Sequence, residues 1–215
     1  MPNTRGIDVS HYQQKIDWTA VAKSTVKFCY IKATEGMGGI DPWFARNWDA
    51  ARAAGLIRGA YHFFHPNLPV LPQADLFVHT VAQLLPGDLP PVLDLEAPAN
   101  WSAIPTANRA ALAIAWLENV QSRLGAAPIV YMSSSFATEV LANAPEMARF
   151  PLWVAQYTSA PSPDVPKPWT SWTLWQYTGS GAAPGVTGTV DSNRFNGTID
   201  QLKAFTLKPA APLVP

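Results

Sequence analysis

The chain predicts an α/β protein folded as an irregular barrel, and three observations carry that reading. From residue 6 to about residue 145, short apolar runs of strand type alternate with stretches of helical periodicity, the order expected of parallel strands joined by helical crossovers. Past residue 145 the strand-like runs continue but the connections change: Ser159 to Pro168 holds four prolines and cannot be an ordinary helix. Acids recur near the ends of the strand-like runs, where α/β barrels build their sites. The expected architecture is a (β/α) TIM-like barrel of eight strands with helices mainly between the early ones.

Gly6-Ile7-Asp8-Val9-Ser10 reads as the first strand, and Asp17-Trp18 opens a short helix with Asp17 as N-cap. Val26 to Ala33 is the second strand, leading through Thr34-Glu35-Gly36 into a glycine-rich loop. Phe44, Trp48 and Ala51 recur at helical spacing, and Gly55 closes that helix. Gly59 to Phe64 is the third strand. The next helix carries Ala74, Phe77, Val81 and Leu84 on one face, and Pro86-Gly87 is its expected stop. Pro90 to Glu96 is the fourth strand, and Pro105 starts the longest helix, which Gly125 ends. Pro128 to Met132 is the fifth strand, with a short helix expected over 137–141. Leu152–Thr158, Leu174–Thr178 and Gly188–Phe195 complete the strands, and a last helix spans about 198–205. One domain over 1–208 is expected, with 209–215 a Pro/Ala-rich tail or the start of a linker.

Composition narrows the class of partner. Fifteen basic residues balance fifteen acidic ones, so no electrostatic field points to nucleic acid or an anionic membrane. Charged residues make up only 14% while aromatics reach 11% with nine tryptophans, a balance suited to a neutral polar ligand such as carbohydrate. Trp43, Trp48 and Trp116 fall on helices and read as packing; Trp153 and Trp175 lie on strands heading for the rim. Cys29 is the single cysteine, within an apolar run, which excludes an internal disulfide and a cysteine-based zinc site. No apolar run approaches membrane-spanning length, and the opening Met-Pro-Asn-Thr-Arg-Gly has no hydrophobic signal character.

The stretch Val92-Leu93-Asp94-Leu95-Glu96 carries the chemistry. Alternation along a strand puts Asp94 and Glu96 on one face, about 6–7 Å apart by strand rise. Two acids held that close in a partly dry site cannot both ionise easily, and one is pushed towards the neutral form. A neutral carboxylic acid beside a carboxylate is what glycosidic cleavage requires. The bare pair is equally compatible with two solvated acids at a strand end. Three further acids fall near strand ends, Asp8, Glu35 and Asp191, and closure of a barrel makes the strands of Asp8 and Asp191 neighbours.

The segments Gly-Ile-Asp8-Val-Ser, Lys-Ala-Thr-Glu35-Gly, Gly-Ala-Tyr61-His-Phe, Leu-Asp94-Leu-Glu96, Trp175-Gln-Tyr and Val-Asp191-x-Asn-x-Phe occur in the order seen in glycoside hydrolase family 25. Over residues 5 to 205 the chain resembles these Chalaropsis-type lysozymes. The resemblance implies an N-acetylmuramidase that hydrolyses the β-1,4 bond between N-acetylmuramic acid and N-acetylglucosamine in peptidoglycan, with retention and without a cofactor or metal. It gives Glu96 the role of general acid/base, and Asp94 that of the acid that polarises the substrate's 2-acetamido group, whose oxygen serves as internal nucleophile. Asp8 and Asp191 match acids on the cleft floor and Tyr61 a ring on the sugar. Glu35 is expected to support a loop, and Tyr157, Trp175 and Tyr177 to contact substrate.

Two rival readings accompany it. A metal-dependent hydrolase would draw on His11, His62 and His65, but His62 and His65 stand three apart and fall on opposite strand faces. A catalytically inactive cell-wall glycan-binding barrel is the non-enzymatic alternative, against which the pairing of Asp94 with Glu96 speaks. The expected partner in both the lysozyme and the binding reading is the bacterial peptidoglycan glycan strand, met by a monomer without membrane insertion. The expected setting is the bacterial wall, reached as a phage endolysin or a secreted enzyme.

Overall fold

The computed structural model describes residues 3–208; the expected tail over 209–215 lies outside them. The strands are β1 (Thr4–Val9), β2 (Val26–Glu35), β3 (Gly39–Ile40), β4 (Ile57–Phe63), β5 (Val92–Asp94), β6 (Ile129–Ser133), β7 (Leu152–Ala155), β8 (Leu174–Gly181) and β9 (Val190–Phe195). The helices are α1 (Trp18–Lys23), α2 (Phe44–Ala53), α3 (Val70–Val81), α4 (Thr106–Leu124) and α5 (Ile199–Phe205). Strand order β1-β9-β8-β7-β6-β5-β4-β2, with β2 pairing back to β1, closes eight strands into a barrel. The two-residue β3 is a hairpin appendage on β2. Helices α1 to α4 fill the early crossovers, whereas β7, β8 and β9 follow one another without one.

All ring pairings are parallel except those of β9, which runs antiparallel to both β1 and β8. The reversal matters for the site. Asp191 lies near the start of β9, yet the register pairs it with Asp8 near the end of β1, so both reach the same rim.

Strand alternation divides the core into two layers. Phe28, Tyr30, Val92, Ile129, Trp153, Leu174 and Phe195 point inward and fill the barrel. Ile7, Val9, Ile31, Leu93, Val130, Leu152 and Trp175 point outward, against the helices where those are present. Two glycines let the large inner rings fit. A Cβ on Gly6 would collide with the Phe28 ring, and one on Gly59 with the Tyr30 ring. The barrel floor is therefore filled by aromatic and aliphatic side chains, and a cleft opens at the C-terminal ends of the parallel strands.

Local details depart from expectation in three places. Helix α3 ends at Val81, because Ala82 adopts φ 57 and its N–H caps the Val78 carbonyl; Leu84 reaches the core from the turn beyond. The short helix expected over 137–141 is a π-helical turn, Phe136–Val140. The strand expected through Thr158 stops at Ala155, which frees Gln156 and Tyr157 to leave the sheet. Two caps are as the residue types dictate: the Asp17 carboxylate accepts from the Ala20 N–H at 3.1 Å, and Gly125 ends α4 at φ 69.

Candidate active site

The inward parity that packs the barrel floor also decides what reaches its mouth. One or two steps up each strand from the aromatic floor stand Asp8 on β1, Lys32 on β2, Tyr61 on β4, Asp94 on β5, Tyr131 on β6, Gln176 on β8 and Asp191 on β9. With Glu35, Glu96, Trp153 and Tyr157 they line a cleft of about 420 Å³. Strand β5 stops at Asp94, and Ala97 turns the chain with φ 52, so Glu96 stands at the lip, exposed, while Asp94 beneath it is buried. Five carboxyl groups face one another across this space, and Lys32 is the one cation among the described residues that line it.

Crowding and burial raise the acids. Asp94 is held well above the ordinary carboxylate range, first by burial and then by the charges of Glu96 and Asp8. Its Oδ1 is buried without a hydrogen-bond partner, an arrangement that disfavours an ionised oxygen. Glu96 is raised by burial of its inner side, while a hydrogen bond from Asp94 and the charge of Lys32 draw it back. Crowding therefore favours a neutral carboxyl in this pair, and the deeper burial of Asp94 makes it the acid held further towards that form. Burial lifts Asp8 to about 6, against amide hydrogen bonds from Asn193 and Gln176. Burial, then the charges of Asp8 and Glu96, push Asp191 up to about 8. Burial and the surrounding acids also keep the Tyr61 phenol far above its usual range, so it stays neutral.

A buried network holds this wall. Asn193 Nδ2 donates to Asp8 Oδ2 at 2.7 Å, and Trp153 Nε1 donates to Asn193 Oδ1 at 3.0 Å. Gln176 Nε2 donates to the same Asp8 oxygen at 3.0 Å. Tyr131, Gln176 and Trp153 were not named from sequence as site residues, although Trp153 was placed on a strand heading for the rim, and Lys32 was not named either. The signal that finds the first three is parity: each shares the inward face with a residue of the barrel interior one or two steps along its strand.

Parity also corrects two expectations. Trp175 and Tyr177 flank Gln176 and therefore point outward. Trp175 is 1% exposed, donates its indole N–H to the Gln156 carbonyl at 2.8 Å, and takes the Arg194 guanidinium over its ring at 5.1 Å. Tyr177 packs on the same outer layer, 4.7 Å from Arg194. Neither lines the cleft. Tyr157 does, as a largely exposed ring at the mouth. Glu35 lines it too, but both its oxygens are engaged, one by Lys32 Nζ at 2.6 Å and one by His65 Nε2 at 2.9 Å.

The histidines do not converge. His11 bonds Asp41 at 2.9 Å, and His62 is buried between Thr34 and Gln73 with its ring stacked on Trp116. His65 pairs with Glu35.

A closed barrel with a pair of crowded carboxyls at its C-terminal mouth and aromatic rings around them fits the class of carboxylate-dependent sugar hydrolases. The chain belongs to the glycosyl hydrolases family 25, whose model matches residues 7–186. It is 41% identical over 205 residues to the uncharacterized protein YegX of Escherichia coli (strain K12), covering 93% of this chain and 72% of that one. It is 36% identical over 209 residues to lysozyme M1 of Streptomyces globisporus, covering 94% and 70%. The crystal structure of the bacterial lysozyme from Streptomyces coelicolor superposes with a TM-score of 0.91 at 35% identity, covering 96% of this chain and 98% of that one.

Proposed function

We propose that the protein is a muramidase: it hydrolyses the β-1,4 bond between N-acetylmuramic acid and N-acetylglucosamine in bacterial peptidoglycan, with retention and with the substrate's own 2-acetamido oxygen as nucleophile. The observation that carries this reading is the Asp94–Glu96 pair, two carboxyls on one side of the cleft, both held above the ordinary carboxylate range. Acids that approach a sugar from the same side suit substrate assistance better than direct displacement by a protein carboxylate on the opposite face.

The steps follow from the residues. An acetamido N–H docked on Asp94 favours its ionised form, and the proton that Asp94 releases passes to Glu96. Glu96 then protonates the glycosidic oxygen as the C–O bond breaks, and the acetamido oxygen bonds to the anomeric carbon. The cyclised sugar carries the positive charge that Asp94, now a carboxylate, offsets, with Asp8 and Asp191 adding negative field. Glu96, left ionised, takes a proton from water as the water oxygen bonds to the anomeric carbon and the bond from that carbon to the acetamido oxygen breaks, which restores the acetamido group. Tyr61 and Tyr157 supply aromatic and hydroxyl contacts to the sugar.

The test is mass spectrometry of fragments released from purified peptidoglycan and reduced with borohydride. Reduced N-acetylmuramic acid at the new end is expected; reduced N-acetylglucosamine, peptide release or intact strands overturn the reading. A covalent adduct on Asp94, trapped with a fluorosugar substrate, would keep the muramidase and make Asp94 the nucleophile.

A further inference from the structure

Gln176 is 4% exposed on the inward face of β8, and its side-chain amide makes three bonds of fixed sense. Its Oε1 accepts from the Tyr131 hydroxyl at 2.8 Å and from the Tyr157 hydroxyl at 2.9 Å, while Nε2 donates to Asp8 Oδ2 at 3.0 Å. Only this orientation of the Gln176 amide turns its donor towards the Asp8 carboxylate; the flipped amide would set oxygen against oxygen. Asn193 also donates to Asp8 Oδ2, so that atom is occupied twice and Oδ1 is left for a ligand. Both phenol protons are likewise spent on Gln176, which leaves lone pairs on their oxygens.

We propose that Gln176 is a positioning residue that turns this wall of the cleft into an array of acceptors. Asp8 Oδ1 and the phenolic oxygens of Tyr131 and Tyr157 then match the hydroxyl and amide N–H donors of a neutral N-acetylated sugar. The proposal rests on the muramidase reading and deepens it, since it names the group that sets the polarity of the sugar site. Its reach depends on what surrounds Asp8. Asp94 and Glu96 face it from the β5 end, Asp191 and Asn193 from β9, Tyr61 from β4 and Tyr157 from the β7 end, with Lys32 on β2 the one cation among the described residues that line the cleft.

Gln176→Glu is the informative variant. It keeps the chain length and the acceptor for both phenols, but it replaces the donor to Asp8 with a second carboxylate oxygen. Binding of the trimer of N-acetylglucosamine is measured by calorimetry between pH 5 and pH 8, with circular dichroism to verify the fold. The expected result is binding about tenfold weaker near neutrality, the scale of one lost charge-assisted hydrogen bond, with its pH midpoint moved upward by about one unit. In an Asp8→Asn background, Gln176→Glu is expected to leave the midpoint where Asp8→Asn alone puts it. A folded Gln176→Glu protein with the parent's midpoint overturns the proposal, as does an equal upward shift without Asp8. Should Gln176→Glu fail to fold, Tyr157→Phe at the exposed mouth removes one acceptor: several-fold weaker binding at an unchanged midpoint supports the array, and unchanged binding overturns it. Loss of trimer binding and loss of muropeptide release are separate readouts. Intact pH-dependent binding without hydrolysis sinks the muramidase reading alone, and hydrolysis with an unmoved midpoint sinks the role of Gln176 alone.

Discussion

Glu96 and Asp191 differ in what their carboxyls are asked to do, and substitution separates the two demands. Glu96→Gln keeps the shape of the side chain but has no proton to give to the leaving oxygen. A fall in kcat of about 10²–10⁴-fold is expected, with the thermal transition and trimer binding retained. Asp191→Asn removes only part of the field around the developing charge and is expected to cost less than Glu96→Gln; steady-state rates on soluble glycan fragments decide the order. If Asp191→Asn proves as damaging, Asp191 transfers a proton and the division of roles fails. Trp175 provides the contrast from outside the cleft. Trp175→Phe loses the bond to the Gln156 carbonyl and part of the contact with Arg194. Destabilisation of about 1–3 kcal/mol in urea unfolding, with KM unchanged, is the expected outcome; a raised KM at unchanged stability would put its ring back on the substrate.

At the scale of the strand, a single rule explains both what the sequence disclosed and what it hid. Alternation placed Asp94 on the inward face with Val92, and the barrel interior follows that assignment. Applied to β8, the same alternation excludes Trp175 and Tyr177 once Gln176 is known to face inward, but nothing local in the run Leu174–Thr178 says which parity is inward. That is decided by the pairing of Gln176 with Asn193 on β9, a contact between residues 17 apart along the chain but set by barrel closure. The antiparallel direction of β9 was equally hidden, because a reversed strand reads the same as a forward one when no helix separates it from its neighbour. Helix ends were legible where a cap carried the signal, as at Asp17 and Gly125, and not at Ala82, whose positive φ is imposed by the turn that returns Leu84 to the core. The glycines of the floor test the closure itself. Gly59→Ala drives a methyl into the Tyr30 ring, and overpacking of a filled core costs about 1–3 kcal/mol. Calorimetry is expected to register that as a lower Tm; an unchanged Tm means the floor has slack that the packing does not show.

For the molecule as a whole, the acid cluster makes stability and activity pull in opposite directions. Asp8 and Asp191 hold protons in the folded state up to about 6 and about 8, and Asp94 and Glu96 are raised as well. In the unfolded chain these carboxyls return to ordinary values near 4. Between those limits the native state binds more protons than the unfolded one, so unfolding free energy falls as pH rises. The contribution is fully present below about pH 4, declines through 6 as Asp8 ionises, and is lost through 8 as Asp191 follows. Among the described residues that line the cleft, Lys32 is the one cation to offset the accumulating charge, and it is already shared with Glu35. The pair Lys32–Glu35 adds a smaller opposite slope at low pH, since Glu35 is lowered on folding and its stabilisation disappears as pH falls through its folded value. Calorimetric Tm is therefore expected to decline from pH 5 to pH 8.5. Asp191→Asn removes one of the protons lost in that interval and should flatten the decline, leaving the variant more stable than the parent at pH 8.5 while it turns over more slowly. Such an exchange of stability for rate is the behaviour expected of acids retained for chemistry. A parent Tm that climbs between pH 6 and pH 8.5, or an Asp191→Asn protein with the parent's slope, would mean that the cluster ionises without strain and that the crowding of its carboxyls is not what tunes the site.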